Sequence, residues 1–451
     1  WTVPQYFLIV SMAMDGVLPT IKTLMETLST VTRPSNYWIV AGFSSLLGGV
    51  FSYLNKMVLM FWVVMVYVMT FIGRLEGVDA PSLHAQYFEE YVLLSRYVDG
   101  LKVVSDNVVA RDVVLPANME VVELPALRVP KVYGATKIVF YSLAPLLHDA
   151  DVLYVRTFSP PELSAIWAAK RLSGMPSVLV LPGTWLFGRP SKARGKERFY
   201  RFFLRRALDA CDRVVLYSRL MLPEIMLYHP KMDASKVIYI HNAINVRRFS
   251  PDGEVSERLT SLKNGRKCVL YVGRVNEKKG VGDLIQAFKT VSASQRDCIL
   301  AIVGMGEKQY VGRLVEDVQS SGLSDRVFFL GPIPNREMPA LLRAADVIAY
   351  ATREGEGIPR ALLEGMACGK PAVATQVAGI PEAVIDSVTG FVVRPRDTAA
   401  LADCLSRLIS DDSLRQEMGL KARRHVEAEF NYDTVIPKIA ALLKEVVSEG
   451  R

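Results

Sequence analysis

The sequence predicts an α/β chain built from two Rossmann-like units in tandem, behind a hydrophobic N-terminal extension. Three observations predict it. Short apolar runs alternate with segments whose apolar residues recur every three to four positions, the pattern of parallel sheets covered by helices. That alternation is interrupted from Ser250 to Lys267, where the chain turns polar around Pro251, Gly253 and Gly265 and one domain is expected to end. The 451 residues suffice for two or three domains, each with its own core. The expected division is residues 1–56 as the extension, 57–249 and 250–430 as the two Rossmann-like units, and 431–451 as a closing helix.

Residues 1–73 carry only five charges, Asp15, Lys22, Glu26, Arg33 and Lys56. Two apolar runs, Tyr37 to Leu54 and Met57 to Gly73, each approach the length of a membrane span. The second has a rival reading, since Val63 to Phe71 also suits a strand buried on both faces. A glycine-containing loop, Gly73 to Pro81, an amphipathic segment, Ser82 to Val98, and a strand, Leu101 to Ser105, follow it. That order opens a doubly wound domain, so the strand reading is adopted and residues 1–56 are left as a membrane-contacting extension. A signal peptide is not expected, because a basic leader and a small-residue cleavage site are lacking.

The alternation then continues. Helices are expected at Thr136 to His148, Pro161 to Ser173 and Lys196 to Cys211, and strands at Val152 to Val155, Ser177 to Leu181, Arg213 to Tyr217 and Val237 to Ile240. In the second unit the strands are CVLYVG, CILAIVG, VFFL, VIAY, PAVAT and GFVV, each preceding a helical pattern. The amphipathic segment Tyr432 to Val447 comes too late to belong to the second sheet.

Half of the residues are hydrophobic, mean hydropathy is +0.21 and net charge is +8. Most of that charge lies between Lys192 and Arg206, where seven cations accompany one acid, Glu197. On a helix, Arg198, Arg201 and Arg205 share a stripe, with Phe199, Tyr200, Phe202 and Phe203 interleaved. This is either a solvated face or an interfacial helix on anionic lipid. Nucleic acid is not expected, since no recognition motif accompanies the charge. The five cysteines are scattered and read as reduced core residues, and no histidine spacing supports a metal.

The chemistry concentrates between Glu354 and Pro371, EGEGIPRALLEGMACGKP. Glu356 falls in a glycine-flanked loop and Glu364 in a short apolar helix, with seven residues between them. Pro359 suits the start of that helix and Gly369 the left-handed position past its end. Free amides around Arg360 and Ala361, with the glycine backbone, make a receptor for an anion. A carboxylate beside such a receptor takes hydrogen bonds from hydroxyl groups attached to the anion, and phosphate plus polyol suggests a nucleotide sugar. In GRVNEKKG, Arg274 and Lys279 lie at a strand-to-helix turn, the carboxyl end of a strand, where open α/β sheets bind ligands. Together they can neutralise a departing diphosphate. VGMGE supplies Gly304 and Gly306 for close backbone approach, or for a plain tight turn.

These segments, with FLGPIPNREMPALLRAADV and AGIPEAVIDSVTGFVV between and after them, resemble the donor domain of the retaining family-four glycosyltransferases of GT-B fold. The resemblance covers residues 268–430 specifically and 63–250 more weakly. It implies that Arg274 and Lys279 hold the donor diphosphate, Glu356 the donor-sugar hydroxyls and Glu364 the ribose. Gly357 and Ile358 would lend amides near phosphate or sugar, and Gly304 and Gly306 would line the donor site. It further implies that no metal or other cofactor is needed and that the closing helix returns to the first domain. On the acceptor side the family's paired glycines correspond to Gly73 and Gly77. Pro182 stands where a histidine is frequent, and NAIN replaces the usual Asn-Gly-x-Asp.

The expectation is therefore a retaining, hexosyltransferase-type enzyme. Its donor is a nucleotide-diphosphate sugar, and its acceptor is lipid-linked or another cell-envelope glycan. It would act in the cytoplasm at the cytoplasmic face of a membrane, with Arg198, Arg201 and Arg205 toward anionic lipid. A sugar phosphorylase, a nucleotide-sugar epimerase and an inactive nucleotide-sugar-binding scaffold are the alternatives.

Overall fold

The computed structural model describes residues 69–72, 83–105, 114–123, 138, 141–146, 150–157, 159–184, 195–354 and 357–450. The expected extension, residues 1–56, lies outside the described residues. No helix among the described residues is long and apolar enough to cross a membrane.

Two parallel sheets carry the architecture. The first runs β3-β2-β1-β4-β5-β6-β7, from β1 (Met69–Ile72), β2 (Leu101–Ser105), β3 (Met119–Glu123), β4 (Leu153–Arg156), β5 (Ser177–Leu181), β6 (Arg213–Leu216) and β7 (Val237–Tyr239). The second runs β10-β9-β8-β11-β12-β13, from β8 (Lys267–Val272), β9 (Cys298–Val303), β10 (Val327–Gly331), β11 (Val347–Tyr350), β12 (Ala372–Thr375) and β13 (Gly390–Val393). Both place their first strand beside the fourth, the switch point at which doubly wound sheets open a crevice.

The strands form where the sequence predicts because most are sandwiched between helices. Every residue of β4, β5, β9, β11 and β12 is buried, which is why these strands read as apolar runs interrupted only at their ends, by Arg156, Ser177 and Thr375. β1 occupies the last part of the expected Val63 to Phe71 strand and pairs with β2 from Met69↔Lys102 to Ile72↔Ser105. β3 was not foreseen. It is an edge strand, MEVVE, whose two buried residues, Met119 and Val122, are three apart and whose glutamates are exposed, so it lacks both an apolar run and a period of two.

The expected helix at Lys196 to Cys211 is present as Gly195–Ala210, but its charge does not lie on one surface stripe. Arg201 is buried at 7% exposure, because it shares the i, i+3, i+7 stripe of buried Leu204 and Leu208. Its guanidinium pairs with Glu197 at 2.7 Å and lies 5.5 Å from the Tyr228 ring centroid. Among the described side chains, Arg198, Arg205 and Arg206 are the exposed cations of this helix.

The chain passes between the sheets twice, and the two passages run side by side. Ile244 N–H donates to Phe430 O at 2.8 Å and Tyr432 N–H to Ile244 O at 3.2 Å. The last helix, Tyr432–Gly450, then buries Val435, Ile436, Ile439 and Leu443 in the core of the first sheet.

Candidate active site

The loops leaving β8, β9 and β11 lie together at the carboxyl ends of the second sheet. After β8 the chain turns through Gly273 and Arg274. Gly273 N–H donates to Val303 O at 2.9 Å, and Val275 N–H to Met305 O at 2.8 Å, which ties this turn to the Gly304 to Gly306 loop. A Cβ on Gly304, whose φ is +132°, would lie 1.9 Å from Gly273 O, and one on Gly306 2.1 Å from Val275 O. Both glycines are therefore required by the approach of these two loops to each other. Tyr271 Oη donates to Arg274 O at 2.7 Å and fixes the arginine's backbone.

Lys279 ends the short 3-10 turn Glu277–Lys279, which is capped by Asn276: Lys279 N–H donates to Asn276 Oδ1 at 3.0 Å. Its amine is half-buried while Arg274 is exposed. Burial, and then the charge of Arg274, push the Lys279 pKa down to about 8. The structure thus brings the two cations into electrostatic range at one strand end.

In the Glu354 to Pro371 stretch, Glu356 and Gly355 lie outside the described residues. The residues beyond them are anchored to the other half of the molecule. Asn242 Nδ2 donates to Ile358 O at 2.9 Å, while Gly379 N–H, from their own half, donates to Gly357 O at 3.1 Å. A Cβ on Gly357 would lie 2.5 Å from Pro182 O, which is backbone and cannot swing aside. Gly357→Ala is therefore expected to force the Pro182 turn and this loop apart. It should lower donor affinity while leaving most helical signal in circular dichroism; unchanged donor affinity would show that the close approach is dispensable.

The helix Arg360–Ala367 starts from Pro359 in extended conformation and ends before Gly369, whose φ is +74°, as its sequence demands. Glu364 is buried at 3% exposure. Burial raises its pKa, while Arg360 and Arg248 oppose the rise. Its charge reaches Tyr350, whose ring lies 5.4 Å from that of Tyr271, the residue that holds the Arg274 backbone.

Of the acceptor-side residues, Gly73 and Gly77 lie outside the described residues. The structure brings forward others that sequence reasoning missed. Glu90, on the helix Leu83–Leu94, pairs with both Arg156, at the carboxyl end of β4, and Arg360. Glu382 accepts from Ser218 Oγ at 2.7 Å and Arg219 N–H at 2.9 Å, another tie between the halves. The available signal was Arg156 itself, a charge closing an otherwise apolar parallel strand, LYVR.

Comparison with known proteins relates the chain to glycosyltransferases. The family described as glycosyl transferases group 1 matches residues 255–425, and Glycosyltransferase Family 4 matches residues 102–248, together more than two thirds of the chain. N-acetyl-alpha-D-glucosaminyl L-malate synthase of Bacillus anthracis is 27% identical over 305 residues, 67% of this chain and 77% of that one. D-inositol 3-phosphate glycosyltransferase of Corynebacterium diphtheriae is 30% identical over 225 residues, 48% of this chain; the chain spans about half, 52%, of that relative's length. The crystal structure of Anabaena HepE in complex with UDP-glucose superposes with a TM-score of 0.63 at 21% identity, covering 84% of this chain and 99% of that one.

Proposed function

The chain belongs to the group 1 glycosyltransferases, with a GT-B-like pair of parallel-sheet domains, and from that premise we propose that it moves a sugar with retention from a nucleotide-diphosphate donor. The donor diphosphate meets Arg274, Lys279 and the amides opening the helix Arg360–Ala367. Glu364 accepts from the ribose and Glu356 from the sugar hydroxyls. No metal is invoked, because the two cations and the helix end neutralise the leaving diphosphate.

The observation that carries this reading is the Arg274–Lys279 pair. A lysine drawn out of water beside a second cation binds a proton weakly, and a diphosphate placed there restores that proton. HepE, as a complex with UDP-glucose, supports the donor class. The proposed acceptor is lipid-linked or another cell-envelope glycan, set at the carboxyl ends of the first sheet. Exposed Arg198, Arg205 and Arg206 beside half-buried Phe199 and Phe202 favour an anionic membrane surface.

A thermal-shift panel of nucleoside diphosphates and nucleotide sugars tests the donor, since a ligand of the native state raises the unfolding midpoint with its concentration over Kd. Product analysis with the stabilising donor and lipid-linked acceptors in anionic vesicles should then show transfer with the donor's anomeric configuration kept. Consumption of inorganic phosphate would make it a phosphorylase, and donor isomerisation without acceptor an epimerase. Binding with neither transfer nor hydrolysis would leave a scaffold. No shift with any nucleotide would refute the donor assignment.

A further inference from the structure

The backbone pairing of β8 with β11 stops at Ile348↔Leu270, before the loops that carry Lys279 and lead into Glu356. Beyond that point other contacts join the loops. Arg353 N–H donates to Lys278 O at 2.8 Å. Gly280, with φ of +64°, lies so close to β11's exit that a Cβ there would be 1.8 Å from Ala351 O. Arg353 also grips Asp283 in a two-toothed pair, with Nε to Oδ2 at 2.7 Å and Nη2 to Oδ1 at 2.6 Å. Asp283 belongs to the first turn of the helix Val281–Ser294, which begins directly after the Lys279 turn.

Neither partner is a loose surface charge: their side chains are 14% and 28% exposed, whereas the neighbouring Lys278–Glu354 pair is 61% and 63% exposed and contributes little. A planar guanidinium meeting a carboxylate through two parallel bonds fixes orientation as well as distance. Arg353 stands three residues before Glu356, and the far side of that loop is held by Asn242 through Ile358 O.

We propose that Asp283 and Arg353 are a positioning pair for transfer, which sets the Lys279 turn in register with the chain leading into Glu356. This rests on the reading that Lys279 meets the donor diphosphate. The pair touches neither donor nor acceptor. It acts by keeping the cation that receives the leaving group at a constant offset from the residues that hold the sugar. Misplacement of a reacting group by about 1 Å costs on the order of a hundredfold, so an interaction remote from the breaking bond can control its rate.

The experiment compares wild type with Asp283→Asn, Asp283→Glu, Lys279→Ala and Lys279→Ala/Asp283→Asn. Below their unfolding temperatures, kcat, donor KM and calorimetric affinity for the nucleoside diphosphate are measured. Asp283→Asn should lower kcat about ten- to a hundredfold and Asp283→Glu should recover part of it. In the Lys279→Ala background the same change should cost less than about twofold, because residues acting through one another are not additive. Nucleoside-diphosphate affinity should fall with Asp283→Asn only where Lys279 is present. A pair that merely holds the fold would lower the unfolding midpoint and cost the same factor in both backgrounds, which would overturn the proposal, as would unchanged turnover and affinity. If wild type turns over no donor, the transferase reading fails separately and the affinity comparison alone decides for or against the pair. Absence of nucleoside-diphosphate binding in wild type overturns both.

Discussion

Lys279→Ala is expected to slow sugar transfer about a hundred- to a thousandfold, the scale of losing one charge-stabilising donor, ~2.7–4 kcal/mol. Negative charge grows on the diphosphate as the bond to the sugar breaks, and a half-buried ammonium stabilises it more than a solvated one can. The same burial makes the effect depend on pH. With Arg274 beside it, burial brings the Lys279 pKa down to about 8 in the free protein. Below that pH the cation is present; as pH rises through it the cation is lost. Diphosphate binding favours the charged amine, so it should draw in a proton, and donor affinity should fall by up to about tenfold per pH unit above the free-protein value. A profile of kcat/KM against pH in wild type should therefore carry an alkaline limb that Lys279→Ala lacks. A variant that keeps near-normal turnover, or one that keeps the limb, would remove Lys279 from its assigned role.

The second sheet was legible strand by strand because its central strands are buried on both faces and cannot tolerate polar residues. β3 escaped because an edge strand can. The cations Arg274 and Lys279 were legible because a charged turn after an apolar strand is a local pattern. The pairs that hold the site were not, since they join distant positions: Asp283 with Arg353 spans 70 residues and Glu90 with Arg360 spans 270. Periodicity assigns a residue to a helix face but does not say what that face meets. Arg201 illustrates this, because its stripe is the one that packs inward. Gly304 and Gly306 show the same limit in another form. Their need for glycine was readable, but the groups that impose it are the neighbouring carbonyls of Gly273 and Val275.

Glu90→Gln is expected to lower stability by about 3–5 kcal/mol, the range for breaking a buried ion pair from one side. The Glu90 carboxylate lies 2.5 Å from Arg156 Nη1 through one oxygen and 2.5 Å from Arg360 Nη1 through the other. The side chains of Glu90 and Arg156 are each 3% exposed and that of Arg360 14%. Burial opposes charge on both guanidiniums, and Glu90 at Arg156, and Tyr432 then Glu90 at Arg360, more than restore it, so both pKa values are raised. The outer nitrogens donate to Tyr154 Oη at 3.1 Å and Tyr432 Oη at 2.8 Å. Among the described residues, both Nε groups are buried without a partner, so the site has no spare acceptor to replace the carboxylate. Glutamine preserves the shape but offers one oxygen and an amide whose N–H groups face the second guanidinium. Arg156 would then lose its carboxylate partner, and Arg360 would keep only the charge influence of Glu364. Arg360 opens the helix that bears Glu364, while Glu90 and Arg156 belong to the first sheet's side, so the loss falls on the joint between the halves. Denaturant unfolding should show the decrease, and Arg360→Met added to Glu90→Gln should recover part of it by removing one of the stranded charges. A Glu90→Gln protein as stable as wild type, or one destabilised further by Arg360→Met, would show that this carboxylate does not hold the joint.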